Sequence, residues 1–355
     1  MMKRLGRIWP ELISFDNLYS AYLKARKGKQ SVASVAEFTL NLESELLTLQ
    51  QELSEFRYRP GRYRLFTIYE RKKRQIAAAP FRDRVVHHAI INLVEPIIDR
   101  RFIFDSYACR KGKGVHAAVD RYQQWSRRYP YVLKMDIEQY FPSIDHAILK
   151  DKLRHYLKDR YALALIDQII DTAPAATGRG DVIYFPGDDL FAPIVRSTGL
   201  PIGNLTSQFL ANLYLDAVDH YIKERLRVHA YIRYVDDLLI LGRDKTQLHE
   251  IREWIRQRLM EDRLRLHPRK AHIYHTARGI DLFGYQIFPH KRRLRNDNGH
   301  AFRRRLRKMA ALYRENVLDL KEIHPRVRSW IGHAIHGETE GLRNSLFAST
   351  VFSRG

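Results

Sequence analysis

The stretch "RYVDDLLILG", Arg233 to Gly242, sets two adjacent aspartates between strand-forming residues, and no lysine or arginine adjoins the pair. Unpaired carboxylates held together raise each other's pKa and lose solvation. A chain that keeps such a pair needs a cation from elsewhere. The flanking residues read as a β-hairpin, with strands over Tyr231 to Tyr234 and Leu238 to Leu241 and Asp236-Asp237 at the bend. Earlier, in "YVLKMDIEQYFPSIDH", a strand from Tyr131 to Met135 ends on Asp136. If these strands are neighbours in one antiparallel sheet, three carboxylates converge on its edge as hard oxygen donors suited to two Mg²⁺ ions. One Asp-Asp pair on a turn is ordinarily solvated decoration; three aspartates at strand ends form a more specific pattern.

The rest of the chain suits a polyanionic partner. Its 355 residues carry 62 Lys plus Arg against 40 Asp plus Glu, a formal charge of +22 spread along the sequence. That excess favours nucleic acid, and a two-metal carboxylate site suits phosphoryl transfer on such a substrate. Cys109 is the single cysteine, which excludes a disulfide framework and a cysteine-rich zinc site. Neighbouring cations are of the kind that can lower a thiol pKa, but its expected role is structural. The N-terminus lacks a sustained apolar core and cleavage site, and no apolar run is long enough to cross a bilayer. The expectation is a cytoplasmic protein with no membrane partner.

Helical spacing runs from Phe15 to Leu53. Tyr63, Leu65, Thr67 and Tyr69 then alternate as a strand, Arg71 to Arg74 form a basic turn, and Gln75 to Ala79 return as far as Pro80. "RVVHHAIINLVEPIIDRRF" is helical, and "SYACRKGKGVHAAVDRYQQW" is a glycine-punctuated basic loop opening another helix. Asp171 to Ser197 reads as looped, with a short strand in "DVIYF". "GLPIGNLTSQFLANLYLDAVDHYIKERL" is a tight turn feeding one long helix, short strands are expected around Leu266 and Ile273, and "GIDLFGYQIF" reads as a hairpin. The remainder is basic and helical.

In this order the blocks resemble those of reverse transcriptases. "YVDD" resembles the family's catalytic box, "RKKRQIAAAPFRDRVVHHAI" and "FDSYACRKGKGVHAAV" its two fingers blocks, and "LKMDIEQYFPSID" its first aspartate block. "GLPIGNLTSQFLANLYLD" resembles the glycine turn and helix, "LHPRKAHI" the lysine block, and "GIDLFGYQI" the primer grip, covering roughly Phe66 to Ile287. The resemblance implies an α+β right-hand polymerase with fingers, an antiparallel-sheet palm and a helical thumb. Its expected divisions are a helical extension over 1–60, fingers over 61–130, a palm over 131–290 with a fingers-side insertion near 145–198, and a thumb-like basic region over 291–355. It also implies a template RNA, a cDNA or primer strand, dNTPs, and two Mg²⁺ ions with Mn²⁺ as a substitute.

Roles follow position by position. Asp136 and Asp236 would hold both metals, with the Ile137 carbonyl assisting and Asp237 as third carboxylate. Phe141 falls where the family keeps an aromatic under the sugar; a lone Phe near a strand end is otherwise a core residue. Lys72, Lys73 and Arg74 match cations on triphosphate oxygens, and Lys270 matches a lysine beside the leaving pyrophosphate. Gly203 would let backbone approach the nucleotide, with Ile202 and Gln208 lining the same site. Arg110, Lys111 and Lys113 would touch template or nucleotide, and Phe283, Gly284 and Tyr285 would touch primer.

Many relatives carry Gln-Gly in the glycine turn and Ser-Pro at the helix start, whereas this chain has Ile202-Gly203 and Ser207-Gln208. That pattern resembles enzymes of diversity-generating retroelements, bacterial or phage-encoded, which copy a template-repeat RNA with errors opposite adenine for mutagenic retrohoming. A small basic oligomer, the accessory variability determinant, is an implied partner. The rival readings are a bacterial defence or free-standing intron-related reverse transcriptase, and a non-catalytic RNA-binding scaffold. His87-His88 and His333/His336 are expected to be packing or RNA-facing residues, not metal ligands.

Overall fold

The computed structural model describes residues 4–69, 73–172 and 183–354. Helices α1 (Trp9–Leu12), α2 (Phe15–Arg26), α3 (Ala33–Leu40) and α4 (Leu42–Ser54) come first. Ser14 begins α2 by accepting the Asn17 N–H, one of the donors a helix start leaves unpaired. An antiparallel hairpin follows, β1 (Arg64–Tyr69) with β2 (Lys73–Ala78), and then α5 (Phe81–Ile98) and α6 (Val115–Ser126).

Strand β3 (Tyr131–Asp136) leads into α7 (Tyr140–Ser143), α8 (His146–Arg154), α9 (Arg160–Asp171), α10 (Ala192–Val195), α11 (Leu205–Tyr214) and α12 (Asp216–His220). The expected single helix after the glycine turn is broken at Leu215 and ends in a π-turn over Tyr221–Arg225. Most of the expected "DVIYF" strand shows none: its last three residues have no strand conformation, and Asp181 and Val182 lie outside the described residues. The chain continues through β4 (Tyr231–Tyr234), β5 (Asp237–Gly242), α13 (Lys245–Glu261), β6 (His272–His275), β7 (Ile280–Leu282), β8 (Tyr285–Ile287) and β9 (Arg292–Leu294). It closes with α14 (Asn296–Arg314), α15 (Leu320–Ala334) and α16 (Glu340–Ala348). Leu266 makes only an isolated bridge to Ile137, so the expected strand there is absent.

The central sheet has the order β4-β5-β3-β6 with every pairing antiparallel, and β7-β8-β9 form a second sheet. Because successive strand residues face opposite ways, the central sheet supports two cores. Tyr231, Leu133, Met135, Leu238 and Ile240 pack with α2, α4, α5, α8, α9 and α11. Ile232, Val132, Leu239 and Leu241 pack with α6, the second sheet and the C-terminal helices. The sheet edge between these cores carries the aspartates. No described helix is long and apolar enough to cross a membrane.

Candidate active site

The β3–β5 register sets Asp136 directly opposite Asp237, on the face shared with Val132, Leu239 and Leu241. Like charges directly opposite each other destabilise an antiparallel pair. Asp237 is already a strand residue, paired with Tyr234, so the bend is Val235-Asp236 and not Asp236-Asp237. The Asp236 carbonyl accepts the Ile137 N–H at 3.1 Å, which ties the bend to the end of β3.

Burial pushes the Asp237 carboxyl up to about 6; the charges of Asp236 and Asp136 add to the rise, while Lys134 and Lys270 oppose it. Burial also raises Asp236, again with Asp136 adding and Lys270 and Arg74 opposing. The charge at this edge is thus only partly compensated. Lys270 Nζ donates to Asp136 Oδ1 at 2.9 Å.

Among the described residues, no three His, Cys, Asp or Glu side chains are gathered closely enough to grip an ion outright. The donor chemistry nevertheless fits a hard divalent cation, with three carboxylates at one sheet edge and the Ile137 carbonyl beside them. A cation on Asp136 would use Oδ2 or share the carboxylate with Lys270, which contacts Oδ1. When bound, such ions activate an attacking oxygen and stabilise a leaving one.

The glycine turn is docked on the basic hairpin. Ile202 O accepts the Ala77 N–H at 3.0 Å, Asn204 Nδ2 donates to Ala77 O at 2.9 Å, and Asn204 Oδ1 accepts the Ala79 N–H at 3.3 Å. Gly203 has φ +115°, and a Cβ there would stand 2.8 Å from Ile76 Cγ2, so conformation and space both require glycine. The Ile202 side chain is half-buried and Gln208 is exposed. Phe141 is half-buried, its ring edge-on to Tyr140, and its carbonyl accepts the Leu200 N–H at 2.9 Å.

Lys72 lies outside the described residues, whereas Lys73 and Arg74 are exposed at the start of β2, earlier than the expected return strand. Arg110 departs from its expected part at the template or nucleotide. Its side chain is only 7% exposed and donates to Asp99, Ile103 O and Ser106 O. Lys113 Nζ donates to Phe104 O and lies 3.3 Å from the centroid of that ring, leaving Lys111 as the exposed cation of this trio.

Tyr285 is fully buried, with its hydroxyl donating to His333 O, so its side chain cannot reach a primer. Phe283 and Gly284, both at positive φ, form the turn between β7 and β8, and the Phe283 ring lies 4.5 Å from that of Tyr234 beside the carboxylate bend. The Cys109 pKa is raised, by burial and by Glu95.

Sequence reasoning passed over Arg233, Asp219 and Asn212, which form a buried polar cluster directly behind the bend. The available signal was an arginine at an inward-facing position of an otherwise apolar strand.

The profile of the family described as "Reverse transcriptase (RNA-dependent DNA polymerase)" matches residues 68–287. Protein YkfC of Escherichia coli (strain K12) is 27% identical over 286 residues, covering 69% of this chain and 72% of that protein. Group II intron-encoded protein LtrA of Lactococcus lactis subsp. cremoris is 23% identical over 223 residues, covering 61% of this chain and 35% of LtrA. The chain thus spans most of one relative but about a third of the other. A telomerase from Candida albicans, solved with a fragment of telomeric RNA, aligns over 83% of this chain and 56% of that one, with a TM-score of 0.47 and 12% identity. With more than half of its length matched by the family profile, the chain belongs to the reverse transcriptases.

Proposed function

We propose that this chain copies an RNA template into DNA with Asp136, Asp236 and Asp237 as the catalytic carboxylates, holding two Mg²⁺ ions between them. The observation that carries this reading is the register that sets Asp136 opposite Asp237 at a sheet edge, with Asp236 in the adjoining bend. Carboxylates so placed cost stability and are accounted for by a divalent cation. Lys270 contacts Asp136 and the Arg74 charge acts on Asp236; with Lys73 and the docked glycine turn, they suit a nucleoside triphosphate. In this reading 1–60 is a helical extension, 61–130 the fingers, 131–290 the palm and 291–355 the thumb.

Asp236→Asn tests it. Neutral amides hold Mg²⁺ poorly but leave the basic surfaces unchanged, so primer extension should fall by about three orders of magnitude or more while RNA binding persists. Extension within tenfold of the parent would remove the assignment.

The finer proposal is a diversity-generating retroelement enzyme, supported by Ile202-Gly203 and Ser207-Gln208. Isoleucine offers a nucleotide contact area without a hydrogen bond, and apolar sites discriminate among similar ligands weakly. Ile202→Gln should lower misincorporation opposite template adenine by up to about tenfold, the worth of roughly one net hydrogen bond. Equal error spectra at comparable synthesis would return Ile202 to a packing role. A second reading, a free-standing intron-related enzyme, is favoured by the likeness to LtrA. Flanking DNA decides between them: two repeats differing chiefly at adenines support the first, and their absence the second.

A further inference from the structure

Val235 precedes the catalytic-site aspartates and sits at φ +57°, in the left-handed region. That region suits glycine or asparagine; for a β-branched residue it is an outlier, and it persists only where the surroundings enforce it. A buried side chain two residues back reaches its carbonyl. Arg233 is fully buried, on the same face of β4 as Tyr231 and pointing away from the carboxylate face. Its Nη1 donates both to Val235 O at 3.4 Å and to Asn212 Oδ1 at 2.9 Å. Its Nε reaches both Asp219 oxygens, at 2.9 and 2.8 Å, and its Nη2 reaches Asn212 O at 3.3 Å.

The partners are fixed in their turn. Asp219, also fully buried, accepts from the Tyr231 hydroxyl at 2.7 Å, and Asn212 Nδ2 donates to Ala108 O at 2.8 Å. A guanidinium is planar and presents its donors in a fixed fork, so two anchored partners determine where Nη1 points. It points at the carbonyl of the strained residue. The backbone of Arg233 has a separate task, bonding Asp105 O and the Tyr107 N–H, which a side-chain substitution leaves in place.

We propose that Arg233 is a positioning residue for the reaction: oriented by Asp219 and Asn212, it holds Val235 in the left-handed conformation that sets Asp236 beside Ile137, just past the end of β3. A residue that only fills the core would affect stability alone. A residue that holds this bend sets the metal geometry, and its loss is repaired where the bend no longer needs holding. The inference rests on the reading of Asp236 as a metal ligand.

The experiment uses Mn²⁺ binding followed by electron paramagnetic resonance, alongside primer extension and primer-template binding, with circular dichroism as the folding control. Arg233→Lys keeps the charge and loses the fork. It should weaken Mn²⁺ binding and lower kcat by about 10- to 100-fold, the scale of an ångström-sized misplacement, with primer-template affinity unchanged. Val235→Gly in that background should recover about tenfold in both readouts, because glycine adopts positive φ unaided and the two sites are coupled through one carbonyl.

If Arg233→Lys does not fold, Arg233→Met with Asp219→Asn removes the buried charges together and carries the same expectation. Additive effects of the Arg233 and Val235 changes, or Mn²⁺ binding unaltered in the Arg233 variants, would overturn the proposal. So would a failure of both Arg233 variants to fold, which would make Arg233 a core residue. Asp236→Asn separates the two levels: if it leaves Mn²⁺ binding intact, the metal reading fails, whereas loss there with no effect at Arg233 overturns only the positioning role.

Discussion

Two charged clusters lie back to back across the β4–β5 hairpin, and they are built oppositely. Behind the bend, Arg233 and Asp219 are both fully buried and matched by bidentate hydrogen bonds, with Asn212 and Tyr231 completing the set. In front, Asp136 and Asp237 oppose each other, Asp236 adjoins them, and among the described residues Lys270 is the cation that directly contacts the trio. The first cluster is closed, with little left to bind. The second keeps carboxylate capacity that the described residues do not fill. Ionisable density is therefore a poor guide to function by itself; the informative quantity is how much of it the fold has already neutralised.

The largest expected contrast is in stability. Asp219→Ala leaves the Arg233 guanidinium buried and uncompensated, which costs about 3–5 kcal/mol. Asp237→Asn instead removes a like charge from a crowded edge, so metal-free protein should be at least as stable as the parent. Urea unfolding in chelator measures both. A loss of similar size in the two variants would dissolve the distinction between a closed cluster and an open one.

Much of the open cluster was legible in the sequence and most of the closed one was not, for a physical reason. An Asp-Asp pair between apolar runs and an aspartate ending another strand are local patterns, and period-two alternation fixes which face each residue takes. The partners of Arg233 come from α11 and α12, so their meeting depends on how those helices pack against the sheet. Arg110 was misjudged on the same ground, since a glycine-rich basic loop looks solvent-facing until Asp99 folds back to meet it. Tyr285 alternates correctly, but toward the second core.

A third polar group sharpens the comparison, because among the described residues no counter-charge acts on it. His87 is 2% exposed with no hydrogen-bond partner at Nε2, and burial, aided by His88 and Arg84, pushes its pKa down to about 3. The unfolded chain takes up this proton near pH 6.5 and the native protein does not, so stability is intact above that pH and is lost as pH falls toward 3. Between pH 6.5 and 5 the loss is about 2 kcal/mol for this group. His88, pushed down chiefly by burial to about 4, adds a comparable contribution. His87→Leu should therefore remove roughly half of the acid sensitivity arising from the two histidines. Denaturation midpoints at pH 5 and 7 test this, and an unchanged difference between them would mean that His87 is protonated in the native protein.

The smallest effect probes the ion pair that the open cluster makes with Lys270. Lys270 Nζ holds Asp136 Oδ1 at 2.9 Å, but the lysine side chain is 39% exposed and the aspartate 21%, so solvent screens the pair. Exposed and half-exposed pairs are worth about 0.2–1 kcal/mol. A divalent cation on Asp136 would meet the Lys270 ammonium at the same carboxylate, and like-charge repulsion sets the two in competition on about that scale. Lys270→Met keeps the stem and deletes the charge. It should tighten Mn²⁺ binding to chelator-stripped protein by about 1.5- to 5-fold, the binding equivalent of that energy. Extension should nevertheless slow, because the proposed place of this lysine beside the departing pyrophosphate would be left without its cation. Titration calorimetry reads the first effect and single-turnover extension the second. Weaker Mn²⁺ binding in the variant would show that Lys270 supports the carboxylate edge by organising Asp136 and does not compete for it, and the front cluster would then be more nearly closed than its geometry indicates.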